Sequence, residues 1–185
     1  MAGRLGSLAE IGPEVWAELA RTCADMQHPW RTPVLATTDG EFADARTVIL
    51  REVDDLTRQL LVFTDGRAAK VAQLLSHPLG TLVMWSAQRS WQLRCRVRLA
   101  LEPSGLSTSS RWARIKLSTA AQDYLSRHAP GTPLEAAQPP PADPLGREHF
   151  AVICAQVESI DWLELHAQGH RRALLCGSAS QWLQP

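Results

Sequence analysis

Three groups of residues in this sequence have types and spacings that could do chemistry. The first is Arg46-Thr47-Val48-Ile49-Leu50-Arg51, an apolar run with a cation at each end. In one continuous strand these arginines are an odd number of residues apart and face opposite sides. One could then hold an anionic ligand while the other meets substrate or solvent. Two strand-end arginines that snorkel to water would give the same pattern. The second group is Phe63-Thr64-Asp65-Gly66-Arg67-Ala68-Ala69-Lys70. Here a strand ends, glycine permits a tight turn, and a helix begins. Arg67 and Lys70 stand three apart, on one helical face. The free N–H groups of a first helical turn add positive potential, which suits a phosphate. A solvated helix face is the competing account, and the glycine spacing is not that of a Walker loop. The third group is Gln92, Arg94, Arg96 and Arg98, alternating with Trp91, Leu93, Cys95, Val97 and Leu99. That pattern is a strand with one apolar and one basic face. The basic face could meet an anionic ligand, an acidic partner surface, nucleic acid or only solvent. Like charges in a row repel unless an acidic or anionic neighbour stands by.

Other constellations are weaker. His166 and His170 are four apart, which would suit a metal pair on a helix, but they fall in a predicted hairpin with no third ligand. No metal site is expected, and there is no Ser-His-Asp or Cys-His order.

Composition narrows the class of protein. A chain of 185 residues suits one domain with a sizeable core, spanning residues 1–185. Its 45% hydrophobic and 21% charged residues are ordinary for a soluble globular protein. A formal net charge of zero argues against a nucleic-acid partner. Seven tryptophans against one tyrosine provide large rigid rings for a core, an oligomer interface or a flat ligand. Cys23, Cys95, Cys154 and Cys176 form no C-x-x-C pair. With no signal peptide at the start, they read as reduced, mostly buried thiols of a cytoplasmic protein. No apolar run approaches the roughly 18 residues of a membrane span.

The elements that must position these groups follow from periodicity. Residues 13–26 read as a helix with Pro13 in its first turn. Residues 33–38 and 45–53 read as strands, the first leading into an Asp39-Gly40 hairpin turn. Residues 59–64 form a strand, 66–76 a short amphipathic helix, and 79–86 and 91–101 two more strands. Residues 107–127 read as a helix and the Pro- and Ala-rich 130–147 as an exposed loop. Residues 150–160 form a strand, and 162–166 with 171–175 a closing hairpin around Gln168-Gly169. The expected class is α+β, mainly β, dominated by an antiparallel barrel.

Taken in order, these motifs resemble the pyridoxamine 5'-phosphate oxidase-like family of FMN-binding split barrels. The order is Arg-x-Val-x-x-Arg, then Phe-Thr-x-x-Arg-x-x-Lys, then Gln92 on the long strand, then Trp162, His170, Arg172 and a Trp near the terminal Pro185. The resemblance implies a six-stranded antiparallel split β-barrel of Greek-key type with flanking helices, an N-terminal helix at about 13–26 and a C-terminal hairpin extension at about 160–185. It implies FMN as cofactor, with Arg46 and Lys70 on the phosphate and Arg67 assisting. Thr47, Val48, Ile49, Leu50 and Arg51 would line the flavin, with Phe63 and Thr64 in contact and Gln92 at the ring. Trp162 and Arg172 would complete the site from a second subunit, so a homodimer is implied. Arg51 and His170 fall at substrate positions. Several positions depart from the family: Arg51 replaces a lysine, Gln168 a substrate-binding arginine and Ala68 a common serine. Val97 falls near an expected glycine, and Tyr124 and Arg127 only loosely echo a Tyr-x-x-x-Arg motif. The flavin site is therefore better kept than the pyridoxal phosphate site. An FMN-dependent oxidoreductase acting on a small molecule is expected. A non-catalytic flavin carrier or sensor, and a structural dimer with a vestigial site, are the alternatives.

Overall fold

The computed structural model describes residues 4–134, 144–177 and 179–185. Part of the predicted 130–147 loop, residues 135–143, lies outside them. The first helix, α1 (Leu8–Ala24), starts at Leu8 rather than Pro13 and buries Ile11, Val15, Trp16, Leu19 and Thr22. Pro13 sits inside it, so the Ala9 carbonyl loses its helical N–H partner.

Nine strands follow: β1 (Val34–Thr38), β2 (Ala43–Thr47), β3 (Leu50–Asp54), β4 (Gln59–Asp65), β5 (Leu79–Ser86), β6 (Trp91–Glu102), β7 (Phe150–Glu164), β8 (Arg171–Leu175) and β9 (Gln181–Leu183). Two further helices are α2 (Ala69–Ser76), between β4 and β5, and α3 (Leu106–Ile115), after β6. The class is the expected α+β, mainly antiparallel β, with nine strands in place of six. The predicted 107–127 helix ends at Ile115 and continues as a separate 3₁₀ turn, Thr119–Tyr124. Ser118 makes the break, its N–H and hydroxyl both donating to the Ile115 carbonyl.

The sheet order is β2-β1-β5-β6-β7-β4-β3, with β8 on β7 and β9 on β8. The predicted single strand over 45–53 is two strands, at opposite ends of this order. Only Val48 and Ile49 connect them, so the sheet must curl until its ends meet there. The Val48 N–H donates to the Pro33 carbonyl at 2.9 Å. The parity argument for Arg46 and Arg51 therefore fails, because the two do not share a strand.

One face of the curled sheet makes the main core: Leu35, Leu60, Leu82, Leu93, Ile153 and Trp162 pack there beneath α1. A second cluster lies on the other side of β4 and β7, where α3 and the 3₁₀ turn bring Trp112 and Tyr124 onto Phe63 and Phe150. This is why β4 is buried on both faces. Gly80 lets β5 run close to β1. An added Cβ would meet the Ala36 carbonyl oxygen and Leu99 Cδ1, each at 2.9 Å. Gly80→Ala should therefore destabilise the protein by about 1–3 kcal/mol, as overpacking does, read as a lower midpoint in urea.

The basic face of β6 finds its acidic neighbours within the chain. Arg94 pairs with Asp161 and Arg98 with Glu158, both from β7. Two of the three arginines of this face, Arg94 and Arg98, thus have an acidic neighbour within the chain. Asp161 also accepts from Arg172 Nε and Nη2 at 2.9 and 2.7 Å. Glu164 accepts from Arg4 Nε at 2.8 Å and from Arg171 Nε at 2.9 Å. Burial pushes both carboxyls up, but their arginine hydrogen bonds and charges outweigh it and hold both below the ordinary value. Such groups stabilise fully above their unfolded pKa, near pH 4, and lose that contribution as pH falls through the folded value. The urea midpoint should drop below about pH 4, and less steeply in an Asp161→Asn, Glu164→Gln double variant.

All four cysteines are free. Cys95 and Cys154 are buried, whereas Cys23 and Cys176 are exposed, so only half meet the expectation of buried thiols. Burial raises the Cys95 thiol to about 12, which makes it inert. No described helix is long and apolar enough to cross a membrane.

Candidate functional site

The join between the two ends of the sheet also forms a groove. Thr47, Val48 and Ile49 line it from the β2–β3 link, Phe63 and Thr64 from β4, and Lys70 from α2. Asp65, Asp123, Tyr124 and Pro130 complete the lining, around a volume of about 230 Å³. Six of the residues singled out in the sequence thus converge on one surface depression.

Arg46 does not line this groove; it is hydrogen-bonded to Gln73, three residues after Lys70 on α2, and its charge acts on Lys70 from there. Burial first, and then Arg46, hold the Lys70 ammonium below its ordinary value, while Asp65 pulls the other way. Lys70 has no hydrogen bond or ion pair among the described residues. The Arg46 guanidinium, by contrast, is held firmly. It donates to the Thr37 hydroxyl, to Gln73 Oε1 at 3.1 Å and to the Leu35 carbonyl at 3.4 Å, and lies 3.4 Å from Asp44 Oδ2. A fixed cation beside a half-buried, unpartnered one is an arrangement that an anion stabilises.

Arg67 is used differently from the expectation. Its guanidinium grips both oxygens of Asp65, at 3.0 and 2.7 Å, and donates to the carbonyls of Ser126 and Arg127. It fastens the segment after the 3₁₀ turn to the start of α2 and is not turned toward Lys70's groove. Arg51 lies behind the groove wall, 5.8 Å from the centre of the Phe63 ring, with its Nε buried and unpartnered. Burial raises the Tyr124 phenol, and the Arg51 charge beside it pulls the other way. Leu50 is fully buried in the core.

Two larger cavities, of about 520 and 750 Å³, contain none of the predicted residues. The smaller groove is the better candidate because the charge and the unpartnered groups converge there. No described cluster of His, Cys, Asp and Glu could hold a metal.

Residues 13–101 match the family model described as "Pyridoxamine 5'-phosphate oxidase, FMN-binding domain". Over these residues the chain is similar to that FMN-binding domain. Among solved structures, it resembles a pyridoxamine 5'-phosphate oxidase-related, FMN binding protein from Nostoc punctiforme at 25% identity and a TM-score of 0.71, over 97% of this chain and 99% of that one. PhzG from Burkholderia lata, solved with tetrahydrophenazine-1-carboxylic acid, matches at 16% identity and a TM-score of 0.71, over 97% and 94%. A heme binding protein from Mycobacterium smegmatis matches at 18% and 0.54, over 96% and 60%. The last two share the fold alone. No curated protein matches by sequence.

The remaining predicted residues of this chain lie away from the groove. Gln92 and Arg172 are on the outer face of the sheet. Register runs from Thr47 through Val34 and Val83 to Arg94, the outward neighbour of Gln92 on β6. Three interstrand steps put β6 about 14 Å along the sheet from Thr47, and β8, with Arg172, two steps further. Trp162 is on the opposite, inner face, fully buried against Trp91, with ring centroids 5.3 Å apart. His170 caps the β7–β8 turn, its Nδ1 accepting from the His166 N–H at 3.0 Å. His166 in turn accepts from the Gln168 N–H at 3.1 Å, so both imidazoles serve the turn.

Sequence reasoning missed Asp65, Asp123 and Pro130 as groove residues. Only Asp65 left a signal, since it lies two residues before Arg67 in the turn and can pair with it.

Proposed function

We propose that the chain binds FMN in the β2–β3 groove and acts as an FMN-dependent oxidoreductase on a small molecule. The observation that carries this reading is the half-buried, unpartnered Lys70 under the charge of a fixed Arg46. A phosphate dianion fits that pair, and the backbone of Thr47, Val48 and Ile49 with Phe63 and Thr64 fits the rest of an elongated, partly apolar ligand. The match of residues 13–101 to an FMN-binding domain supports the same choice. Bound flavin would supply the redox chemistry, while the protein binds, orients and shields.

The groove, at about 230 Å³, is below the 300–1,000 Å³ usual for small-molecule pockets. It covers part of a flavin. A second copy would cover the remainder, and we infer a homodimer with Gln92 and Arg172 meeting the partner's flavin. The outer face near Gln92 carries Trp85, 45% exposed, and Val34, 38% exposed, which suit such a contact. A reducing cytoplasm agrees with the four free thiols.

The test is the visible spectrum of the purified or FMN-reconstituted protein, with chromatography of the released flavin and anaerobic addition of candidate reductants. A bound flavin that runs as FMN and bleaches with a small-molecule reductant supports the reading. Flavin running as FAD, or a protein that cannot be loaded, rejects it. Substrate-independent absorbance in every trial leaves the carrier reading. A monomer in sedimentation that still holds FMN tightly rejects the shared site.

A further inference from the structure

The groove's anion end depends on a residue outside its lining. Gln73 lies on α2, three residues after Lys70, and is buried to 8% exposure. Its side-chain amide is used at both ends. Oε1 accepts from Arg46 Nη2 at 3.1 Å and from the Thr37 hydroxyl at 2.6 Å, and Nε2 donates to Asp44 Oδ2 at 2.6 Å. The bond to Asp44 fixes which end of the amide faces Arg46, because only a donor can meet that carboxylate. Thr37 closes the set, as its hydroxyl also accepts from Arg46. α2 therefore delivers two groups to the same place, an ammonium on Lys70 and a neutral acceptor on Gln73.

We propose that Gln73 is a positioning residue, which holds the Arg46 guanidinium at the anion end of the groove and so sets the preference for phosphorylated over unphosphorylated flavin. This rests on the reading of the groove as an FMN site. A long arginine left free would lose rotamer entropy on meeting the phosphate. Held by Gln73 and Thr37, it is organised beforehand, and that cost is already met in the free protein. Gln73 is neutral and adds no second negative charge beside that of Asp44, whose Oδ2 lies 3.4 Å from Arg46 and accepts from Gln73 Nε2.

The experiment measures FMN and riboflavin affinity by quenching of flavin fluorescence, for wild type, Gln73→Met, Thr37→Val, Arg46→Ala and the two double variants with Arg46→Ala. Thermal midpoints are recorded for each. Gln73→Met should weaken FMN about tenfold, the scale of one charged hydrogen bond. It should leave riboflavin within about twofold. Thr37→Val, a near-isosteric change in a strand, should act in the same direction and keeps the test available if Gln73→Met folds poorly. Neither should lower FMN affinity further once Arg46 is alanine, since a residue acting through Arg46 is silent without it. Equal losses for both flavins, no loss in either variant, or additive losses on the Arg46→Ala background would overturn the proposal. Wild-type protein that binds FMN no better than riboflavin would overturn the FMN reading itself, and is distinguished by needing no variant.

Discussion

Lys70→Ala should weaken FMN binding by roughly ten- to hundredfold, the worth of one lost charge-assisted hydrogen bond of about 1.5–3 kcal/mol. Arg46→Ala should do the same, and riboflavin should be far less affected by either, measured by fluorescence titration. The two variants should differ in the flavin-free protein. Lys70 is half-buried, unpartnered and repelled by Arg46, so its removal relieves a cost and should leave stability unchanged or raised. Arg46 donates to Thr37, Gln73 and the Leu35 carbonyl, and its removal takes one donor from each of these acceptors. Arg46→Ala should therefore lower the thermal midpoint as well. Equal losses for FMN and riboflavin in Lys70→Ala would mean that the lysine does not meet a phosphate.

Trp162→Ala should destabilise the fold by about 3–5 kcal/mol, the usual range for removing a large ring from a core. The ring is fully buried, edge-on to Trp91, with Arg171 5.7 Å from its centroid. Family resemblance assigns the same tryptophan to the cofactor, and Trp162→Phe separates the two roles. Phenylalanine keeps most of the packing and removes an indole Nε1 that has no hydrogen-bond partner. It should cost much less in chemical denaturation and leave FMN affinity unchanged. A Trp162→Phe protein of unaltered stability that loses flavin would return Trp162 to the cofactor.

Some of this architecture is plain in the residue pattern and some is not. The Asp39-Gly40 turn and the strict alternation of β6 are local signals, and both strands and turn fall where these put them. The break between β2 and β3 leaves no such mark. No glycine or proline interrupts residues 45–53, and the chain parts there because the sheet closes on itself, a property of the whole fold. β9 is only three residues long and pairs with β8 alone, too short for periodicity to register. For the candidate site, residue types at motif spacing singled out Thr47, Val48, Ile49, Phe63, Thr64 and Lys70, which the fold gathers along one groove. A motif does not say which face of a strand a side chain takes, and so Trp162 turned out to be core. Nor does it say which cation already has a partner: Arg67 is engaged by Asp65, two positions away. Gln73 and Thr37 passed unnoticed because an amide and a hydroxyl look like ordinary surface residues until the fold buries them.

The two-residue link between β2 and β3 has a dynamic consequence. Neighbours in the sheet order are laced by backbone ladders, but its two ends, β2 and β3, share none among the described residues and are joined through the chain at Val48 and Ile49, where the Val48 bond to Pro33 only continues the β1–β2 ladder. Opening the barrel at this seam breaks the fewest amide bonds, so it is where the flavin-free protein should breathe first. A ligand lying across Val48 and Ile49 would act as a clasp. Its binding would then slow amide hydrogen exchange in residues 46–52 while leaving the long β6–β7 ladder, already locked on both sides, almost unchanged.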